Sequence, residues 1–341
     1  MVFFRRRLRS EGIAGSFPGA APSRFASMSS TVHIPVLAAE AVEWLAPQPG
    51  ATLVDGTLGG GGHAALLAAA VGDEGRVLAL DLDPGALDRA TPALVGLPVK
   101  TFHSSYVDLP EVLASLDLKE VDGILLDLGL SSDQLADDER GFSFQGDGPL
   151  DLRFDANTGE PASSLIASLP EKALADLIYQ YGEERLSRRI ARRIVERRTE
   201  TPIETSQQLA QIIRSCFPRT GHRQIDPATR TFQALRIAVN GELDAVAEAL
   251  RILPDCLRIG GRLAIISFHS LEDRLVKHAF REDGRLRPLS KKPIQPSDEE
   301  VARNPRARSA KMRVAERVVA EPEPAMPGGM SRGMPWMNPT R

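Results

Sequence analysis

Short apolar runs alternate with helical stretches between residues 52 and about 130, and this alternation is the strongest constraint on the fold. The runs read TLVD, RVLAL and GILL, and the stretches between them include HAALLAAAV and PGALDRA. Strands of a parallel sheet read as continuous apolar runs because helices cover both of their faces. The pattern predicts an α/β fold built from βαβ units, with a further strand at residues 262–266 returning to the same sheet.

The rest of the chain divides by composition and periodicity. Apolar residues recur at helical spacing from 174 to 181, and Thr205 with Gln208 forms a predicted capping box before another helix. We expect five segments: 1–30 outside the fold, 31–139 as the first part of an α/β domain, 140–225 as an inserted all-helical domain, 226–284 as the second part, and 285–341 as a basic, proline-rich tail that orders only against a partner.

The first 30 residues are rich in Arg, Ser, Ala and Gly, with Glu11 as the only acid. Two interpretations are open: an organelle transit peptide, or a start codon upstream of the true start at Met28, which we favour. No stretch approaches the ~20 consecutive apolar residues of a membrane-spanning helix, so we expect a soluble, cytoplasmic protein with no membrane partner.

Charge is distributed unevenly along the chain. The net charge is only -3, yet residues 185–198 hold seven arginines against one glutamate, and residues 285–317 form a second basic region. One basic run alone is usually a solvated helix face. Two such regions beside a catalytic-looking core favour a polyanionic partner.

A glycine-rich turn follows the first predicted strand, in the segment LVDGTLGGGGH of residues 53–63. Glycines there let the backbone approach a bound nucleotide closely. Asp81 stands nineteen residues after Gly62 at the end of the next strand, where a carboxylate accepts hydrogen bonds from ribose hydroxyls. Strand, turn, helix, strand and acid in this order predict an adenosine cofactor.

Charge indicates which adenosine cofactor binds. The pyrophosphate of a dinucleotide would lie at the turn, where Asp55 would repel it, whereas S-adenosylmethionine has no phosphate and carries a cationic sulfonium and ammonium. Asp127 follows a third strand, so acids at three strand ends favour a positive ligand at the switch point of an open sheet. The competing interpretation makes Asp55 a turn cap and Asp127 a loop-stabilising acceptor.

Other catalytic classes find little support in the sequence. Cys216 and Cys256 form no metal-like cluster, and His63, His103 and His269 lack the close spacing of metal ligands, so we predict no metal site. No GxSxG elbow or P-loop occurs. His269 is either catalytic or a residue that fixes the loop after the last strand, and we favour the structural role.

Eight segments of the chain, from about residue 32 to 317, resemble the RsmH (MraW) family. They are HIPV at 33–36, DGTLGGGGH at 55–63, DGILLDLGLSS at 122–132, RGFSF at 140–144, GPLDLR at 148–153, TRTFQALR at 229–236, SFHSLED at 267–273 and NPRARSAK at 304–311. The first 27 residues have no counterpart in the family. So many long matches in the same order make coincidence implausible.

The resemblance implies a class I S-adenosylmethionine-dependent methyltransferase, with a Rossmann-like, mostly parallel sheet and an inserted helical domain. Members of the family methylate N4 of a cytosine, position 1402, in the decoding region of 16S ribosomal RNA, so the small ribosomal subunit is the implied partner. Tyr106 replaces the family's usual Phe and retains stacking on adenine. Carried over residue by residue, the implied cofactor contacts are Gly61, Gly62, His63, Asp81, Tyr106, Asp127 and Gln134.

Methyl transfer to an exocyclic amine needs an acceptor for the amine protons, because the nitrogen lone pair is delocalised into the ring. Asp127 is the candidate for this catalytic role, and the alternative is that it serves only the cofactor. Phe142 or Phe144 is a candidate to stack on an extruded base, with core packing as the alternative. We expect the insertion to hold RNA phosphates through Arg188, Arg189, Arg192 and Arg193.

Two rival functions remain open from the sequence. A nicotinamide-dependent oxidoreductase would share the glycine turn and Asp81 but would not tolerate Asp55 beside a pyrophosphate. A non-catalytic ribosome-assembly factor would keep the cofactor fold and the basic surfaces and show no turnover.

Overall fold

A computed structural model describes residues 35–144, 146–218 and 225–320. Seven strands form one sheet in the order β3-β2-β1-β4-β5-β7-β6. Their bounds are β1 Thr52–Asp55, β2 Arg76–Asp81, β3 Val99–His103, β4 Val121–Asp127, β5 Leu257–Ser267, β6 Leu286–Pro288 and β7 Lys311–Arg317. The first five strands pair with one another in parallel, so the predicted α/β class with a mostly parallel sheet is confirmed. The strand predicted at 262–266 is the second half of β5.

Helices cover both faces of this sheet. The helices beside it are α1 Ala38–Leu45, α2 Gly62–Val71, α3 Pro84–Leu94, α4 Leu109–Ala114, α5 Ser132–Ala136, α11 Glu242–Ile252, α12 Ser270–Glu282 and α13 Asp298–Arg303. Successive strand residues point to opposite faces. In β1, Leu53 therefore packs in a cluster with α1, α2 and α3, and Val54 packs in a second cluster with α4, α11 and α12. Burial on both faces explains why these strands read as unbroken apolar runs.

A third apolar cluster belongs to the inserted region. Its helices are α6 Ala162–Ser168, α7 Glu171–Gly182, α8 Ser187–Glu200, α9 Ser206–Ser215 and α10 Thr229–Asn240. The predicted capping box is confirmed at the start of α9, where the Gln208 amide donates to Thr205 Oγ1 and the Thr205 amide to Gln208 Oε1. Phe232 and Leu235 of α10 are part of this cluster, beyond the expected boundary at 225. The division of the chain into an α/β domain and an inserted helical domain stays a prediction.

The structure corrects the expectation of a tail at residues 285–341. Strands β6 and β7 lie inside that range, and β7 pairs antiparallel with β5 from Glu316 opposite Arg262 to Lys311 opposite Ser267. The basic residues of β7 made this segment resemble a tail, but all three are paired. Asp273 of α12 accepts from Arg313 Nε at 2.6 Å and Lys311 Nζ at 3.4 Å, and Asp255 accepts from Arg317 Nη2 at 3.1 Å. The expected N-terminal extension 1–30 and residues 321–341 lie outside the described residues.

A helix that crosses a membrane must be both long and apolar. In the described part of the chain, no helix combines the length and the apolar character required to cross a bilayer.

Candidate functional site

A pocket with about 900 Å³ of open space, including its mouth, lies at the carboxyl ends of the parallel strands. The chain crosses from one side of the sheet to the other between β1 and β4, which are neighbours in space but distant in sequence. Open α/β sheets bind their ligands in the crevice at such a switch point. The residues that follow β1, β2, β3, β4 and β5 all contribute to its lining.

The glycine turn and Asp81 are joined by backbone hydrogen bonds. Asp81 Oδ2 accepts from the Gly59 amide at 2.8 Å, and Oδ1 accepts from the Asp83 amide at 2.8 Å. Gly61 precedes α2 with φ of 80°, and a Cβ there would lie 3.2 Å from the Cβ of Ala90. These contacts fix the Asp81 carboxylate before any ligand arrives, while burial raises its pKa above the ordinary value.

His63, Asp127 and Asp55 lie close enough below the glycine turn to influence one another's charge. His63 Nε2 lies 3.4 Å from Asp127 Oδ2, and both side chains are nearly buried. The Asp127 amide donates to Thr57 Oγ1 at 2.6 Å, which fixes the end of β4. Burial opposes a charge on His63, but the adjoining Asp127 carboxylate reverses this effect and leaves the pKa of His63 raised.

Asp55 is completely buried at the end of β1. Its Oδ1 accepts from the Thr57 amide at 3.2 Å, while burial raises the pKa of its carboxyl to about 7. Asp55 Oδ2 and Asp127 Oδ1 are both buried without a hydrogen-bond partner among the described residues. Two buried carboxyl oxygens without partners indicate a missing cationic or hydrogen-bonding partner.

Gln134 and Tyr106 complete the predicted set. Gln134 Oε1 accepts from the Ser131 amide at 3.0 Å, and Nε2 donates to Asp83 Oδ2 at 3.1 Å, so its amide is already engaged. Tyr106 opens a short 3₁₀ turn that Ser105 caps, and burial raises the pKa of its phenol. Both side chains line the pocket.

The structure gathers six of the seven predicted cofactor contacts around one pocket: Gly62, His63, Asp81, Tyr106, Asp127 and Gln134. Gly61 is not among the lining residues, and its positive φ serves the start of α2. The sequence reading missed four larger residues that line the same pocket: Phe154, Glu242, Phe268 and Glu272. Phe268 follows β5 directly, so the rule that ligands bind at strand ends would have found it.

The two missed glutamates belong to a buried ion-pair network. Arg236 donates to both oxygens of Glu242, through Nε at 2.7 Å and Nη2 at 2.8 Å. Glu272 Oε2 accepts from the Phe268 amide at 2.9 Å, and Oε1 lies 3.1 Å from His269 Nε2. Burial raises the pKa of Glu242, whereas for Glu272 the opposing effects of His269 and Arg236 outweigh burial and lower the pKa. Both carboxylates on the far side of the pocket are therefore held by partners within the protein.

His269 acts as the N-cap of α12, because its Nδ1 accepts from the Glu272 amide at 3.4 Å. This agrees with the structural role favoured from the sequence. Glu242, His269 and Glu272 are close enough to surround a metal ion. However, Arg236 occupies both oxygens of Glu242, and a neutral imidazole that accepts at Nδ1 carries its proton on Nε2. The arrangement fits an ion-pair network better than a metal site.

The two phenylalanines considered for base stacking lie elsewhere. Phe142 is 4% exposed and belongs to the core of the insertion. Phe144 packs on Phe232, with ring centroids 5.2 Å apart, and neither Phe142 nor Phe144 lines the pocket. The packing alternative therefore accounts for both.

Helix α8 presents an exposed basic face. Four arginines are exposed along it: Arg188, Arg189, Arg192 and Arg193. The last three of these line a shallow cavity beside Cys216. Arg198 is different, since its Nη1 donates to the carbonyls of Ile166 and Leu169 and holds α6 in place. Arg192 pairs with Glu171 at 3.6 Å and Arg193 with Glu196 at 3.2 Å, but both pairs are exposed, so this face remains accessible to an anionic partner.

The chain is similar to one known protein family over most of its length. The model of one family, the MraW methylase family, matches residues 30–318. A Rhodopirellula baltica protein is 50% identical over 303 residues, which cover 86% of this chain and 93% of that protein. Proteins of Deinococcus deserti and Deinococcus radiodurans are 50% and 52% identical, covering 88% and 86% of this chain and 98% and 93% of their own lengths. All three relatives bear the name ribosomal RNA small subunit methyltransferase H.

Proposed function

Because the chain belongs to the MraW methylase family, we propose that it methylates ribosomal RNA of the small subunit, at N4 of cytosine 1402 of 16S rRNA. Its cofactor is S-adenosylmethionine. One observation carries the proposal beyond the family: the buried oxygens of Asp55 and Asp127, at adjoining strand ends, lack hydrogen-bond donors among the described residues. The negative charge of these carboxylates attracts a cationic methyl donor and would repel a pyrophosphate.

The side chains that line the pocket have the chemical groups that this cofactor requires. The preset Asp81 carboxylate suits ribose hydroxyls, and the Tyr106 ring suits adenine. Gly62 and His63 open α2 beside the ligand, and Gln134 is held on the cofactor side by its hydrogen bond to Asp83. These assignments, together with Gly61 in the turn, are part of the proposal. The bound cofactor supplies an electrophilic methyl group.

Asp127 is the proposed acceptor for the target amine. It stands at the carboxyl end of β4, lines the pocket, and has one oxygen paired with His63 and one without a partner among the described residues. That second oxygen can hydrogen-bond an amine proton and hold the nitrogen lone pair toward the methyl group. His63 keeps the carboxylate in place. If Asp127 served only the cofactor, its loss would abolish cofactor binding together with turnover.

The exposed arginines of α8 support a nucleic-acid substrate. Arg188, Arg189, Arg192 and Arg193 have side chains in solvent on one helix. Arginine binds phosphate with its forked donors and remains charged at any physiological pH. Binding of this kind weakens steeply with salt. We propose that the basic face of α8 holds the RNA backbone while the target base enters the pocket.

The decisive experiment follows the methyl group. The protein is incubated with radiolabelled S-adenosylmethionine and small subunits from cells that lack the enzyme, and the label is mapped by mass spectrometry. We expect label on N4 of cytosine 1402. Label on another base would refute the site, and the absence of label with intact cofactor binding would favour the assembly-factor alternative.

A further inference from the structure

We propose that Phe154 forms the stacking surface for the target base, opposite the cofactor side of the pocket and together with Phe268. This inference rests on the proposed function, since it names the residue that receives the base of that reaction. Of the aromatic residues that line the pocket, Tyr106 follows β3 on the cofactor side. Phe154 and Phe268 are the other two, and both are partly exposed.

The backbone on both sides of Phe154 is held by two side chains. Arg140 Nη2 donates to the carbonyls of Arg153 at 3.0 Å and Phe154 at 2.5 Å. Asn240 Oδ1 accepts from the Phe154 amide at 2.7 Å, and its Nδ2 donates to the Leu152 carbonyl at 2.7 Å. Four hydrogen bonds thus fix three consecutive residues. Phe154 also packs at the edge of the insertion's core, so its ring is fixed between that core and the pocket.

Leu152 carries the backbone strain of this segment. Its φ is 66°, in the left-handed region that a residue with a branched side chain rarely adopts, and its side chain is 1% exposed. Such strain persists only where the surroundings over-determine the conformation, and it concentrates at ligand sites. Here the strained residue immediately precedes the segment that presents Phe154 to the pocket.

The same arginine connects Phe154 to the cofactor side. Arg140 Nη1 donates to Asp83 Oδ1 at 3.2 Å, and Gln134 Nε2 donates to the other oxygen of this fully buried carboxylate. Asp83 follows Asp81 by two residues, and its amide donates to the Asp81 carboxylate. Arg140 is therefore a positioning residue, which sets the Phe154 ring relative to the proposed ribose contact.

Phe154 also has the environment of a stacking residue. On one side its ring contacts Phe142, with centroids 5.9 Å apart and the rings tilted by 32°, and Phe142 itself is buried. Phe268 approaches from the loop after β5, close to Gly129, where a Cβ would lie 3.4 Å from its ring. Enzymes that modify a base move it out of its stack and hold it between aromatic or apolar side chains. A neutral, planar base suits these two rings, while its amine can reach a carboxylate.

The test compares Phe154→Leu with Phe154→Tyr, using Phe144→Leu as the matched control. Phe144 lies ten positions away in the same segment but packs on Phe232 outside the pocket. We expect F154L to lower kcat/KM for small subunits about tenfold or more, as loss of one base stack does. F154Y should keep most of the activity, and F154L should bind S-adenosylmethionine within about twofold of the wild type.

A binding readout separates this inference from the proposed function. An RNA hairpin with a fluorescent cytosine analogue at the target position reports stacking when it binds with S-adenosylhomocysteine. We expect F154L to bind the hairpin, as seen by anisotropy, but to lose the fluorescence change that F144L retains. If the wild type methylates the subunit and F154L does so equally well, the inference is wrong. If the wild type does not methylate the subunit, the proposed function fails, and the fluorescence comparison still decides the role of Phe154.

Discussion

The two sides of the pocket treat charge in opposite ways. On the cofactor side, Asp55 and Asp127 each have a buried oxygen without a donor among the described residues. On the far side, Glu242 is held by Arg236 at two points, and Glu272 accepts from two backbone amides. The carboxylates of the far side have partners within the protein, whereas the cofactor side has two carboxylate oxygens without a donor. In this pocket, unpartnered carboxylate oxygens therefore mark the cofactor side, and paired carboxylates mark the far side.

The largest effect is expected from breaking the paired side. Arg236→Met leaves Glu242 buried without its partner, which should cost about 3–5 kcal/mol of unfolding free energy, because removing one member of a buried pair strands the other. Urea denaturation measures this loss. The double variant R236M/E242M should recover most of it. Arg251→Met provides the control, since it disrupts only the exposed pair with Glu248 and should leave the urea midpoint nearly unchanged.

If R236M proved as stable as the wild type, the distinction between the two sides would fail. The same would follow if the double variant were as unstable as the single one, because the loss would then come from packing and not from the stranded charge.

The next effect concerns catalysis on the unpaired side. Asp127→Ala should lower methyl incorporation about 100-fold or more, since positioned proton acceptors contribute roughly 10²–10⁴-fold. Cofactor affinity, measured by calorimetry, separates the two roles of Asp127: a loss of turnover with retained binding supports the acceptor role. Glu139→Gln is the control, an exposed acid in the same loop region. Undiminished methylation by D127A would exclude Asp127 from the chemistry.

A smaller effect, dependent on pH, is expected from Asp55. Burial raises the pKa of its carboxyl from 3.8 to about 7 in the folded protein. A raised folded pKa means that this group stabilises the fold most below pH ~4, and that the contribution is lost as the pH rises through 7. Asp55→Asn removes the charge and should stabilise the cofactor-free protein at pH 8. The expected gain is ~2 kcal/mol, about half of the free energy that three pKa units represent, because the new amide also lacks a hydrogen-bond partner.

Thermal denaturation of D55N and wild type at pH 8 and pH 5 checks this expectation, since the gain should shrink at the lower pH. Cofactor affinity adds a second measurement: a cation favours the ionised Asp55, so wild-type affinity should fall as the pH drops below 7, and D55N should bind weakly at both values. A stability difference independent of pH would contradict the assignment.

The contrast between the two sides also shows what the sequence can predict. Strand ends are local features, so the apolar runs alone predict that Asp55, Asp81 and Asp127 lie at the same edge of the sheet, as they do at the ends of β1, β2 and β4. The ion-pair network was not predictable, because Glu242 and Glu272 come from different helices and meet only in the folded chain.

For the same reason, the sequence did not predict the C-terminal strands or the hydrogen bonds that hold the backbone at Phe154. β7 reads as a basic run until Asp273 pairs with its charges, and Phe154 reads as a loop residue until Arg140 and Asn240 hold its backbone. Sequence periodicity indicates which face of an element is buried, but not which distant side chain pairs with a charge on that element. Residue-by-residue resemblance supplied Gln134, yet only the structure shows that its amide is bound to Asp83.

The smallest effect is expected outside the pocket, on α8. Arg189 is exposed and has no ion pair among the described residues, so Arg189→Ala should leave stability and cofactor binding unchanged. If it contacts one phosphate, the slope of log affinity for RNA against log salt should become shallower by about 0.7–0.9. Arg251→Ala, on another helix, is the control and should leave the slope unchanged. A variant lacking all four arginines that kept the wild-type slope would show that the RNA is held elsewhere, and the exposed arginines of α8 would then be ordinary solvated charge.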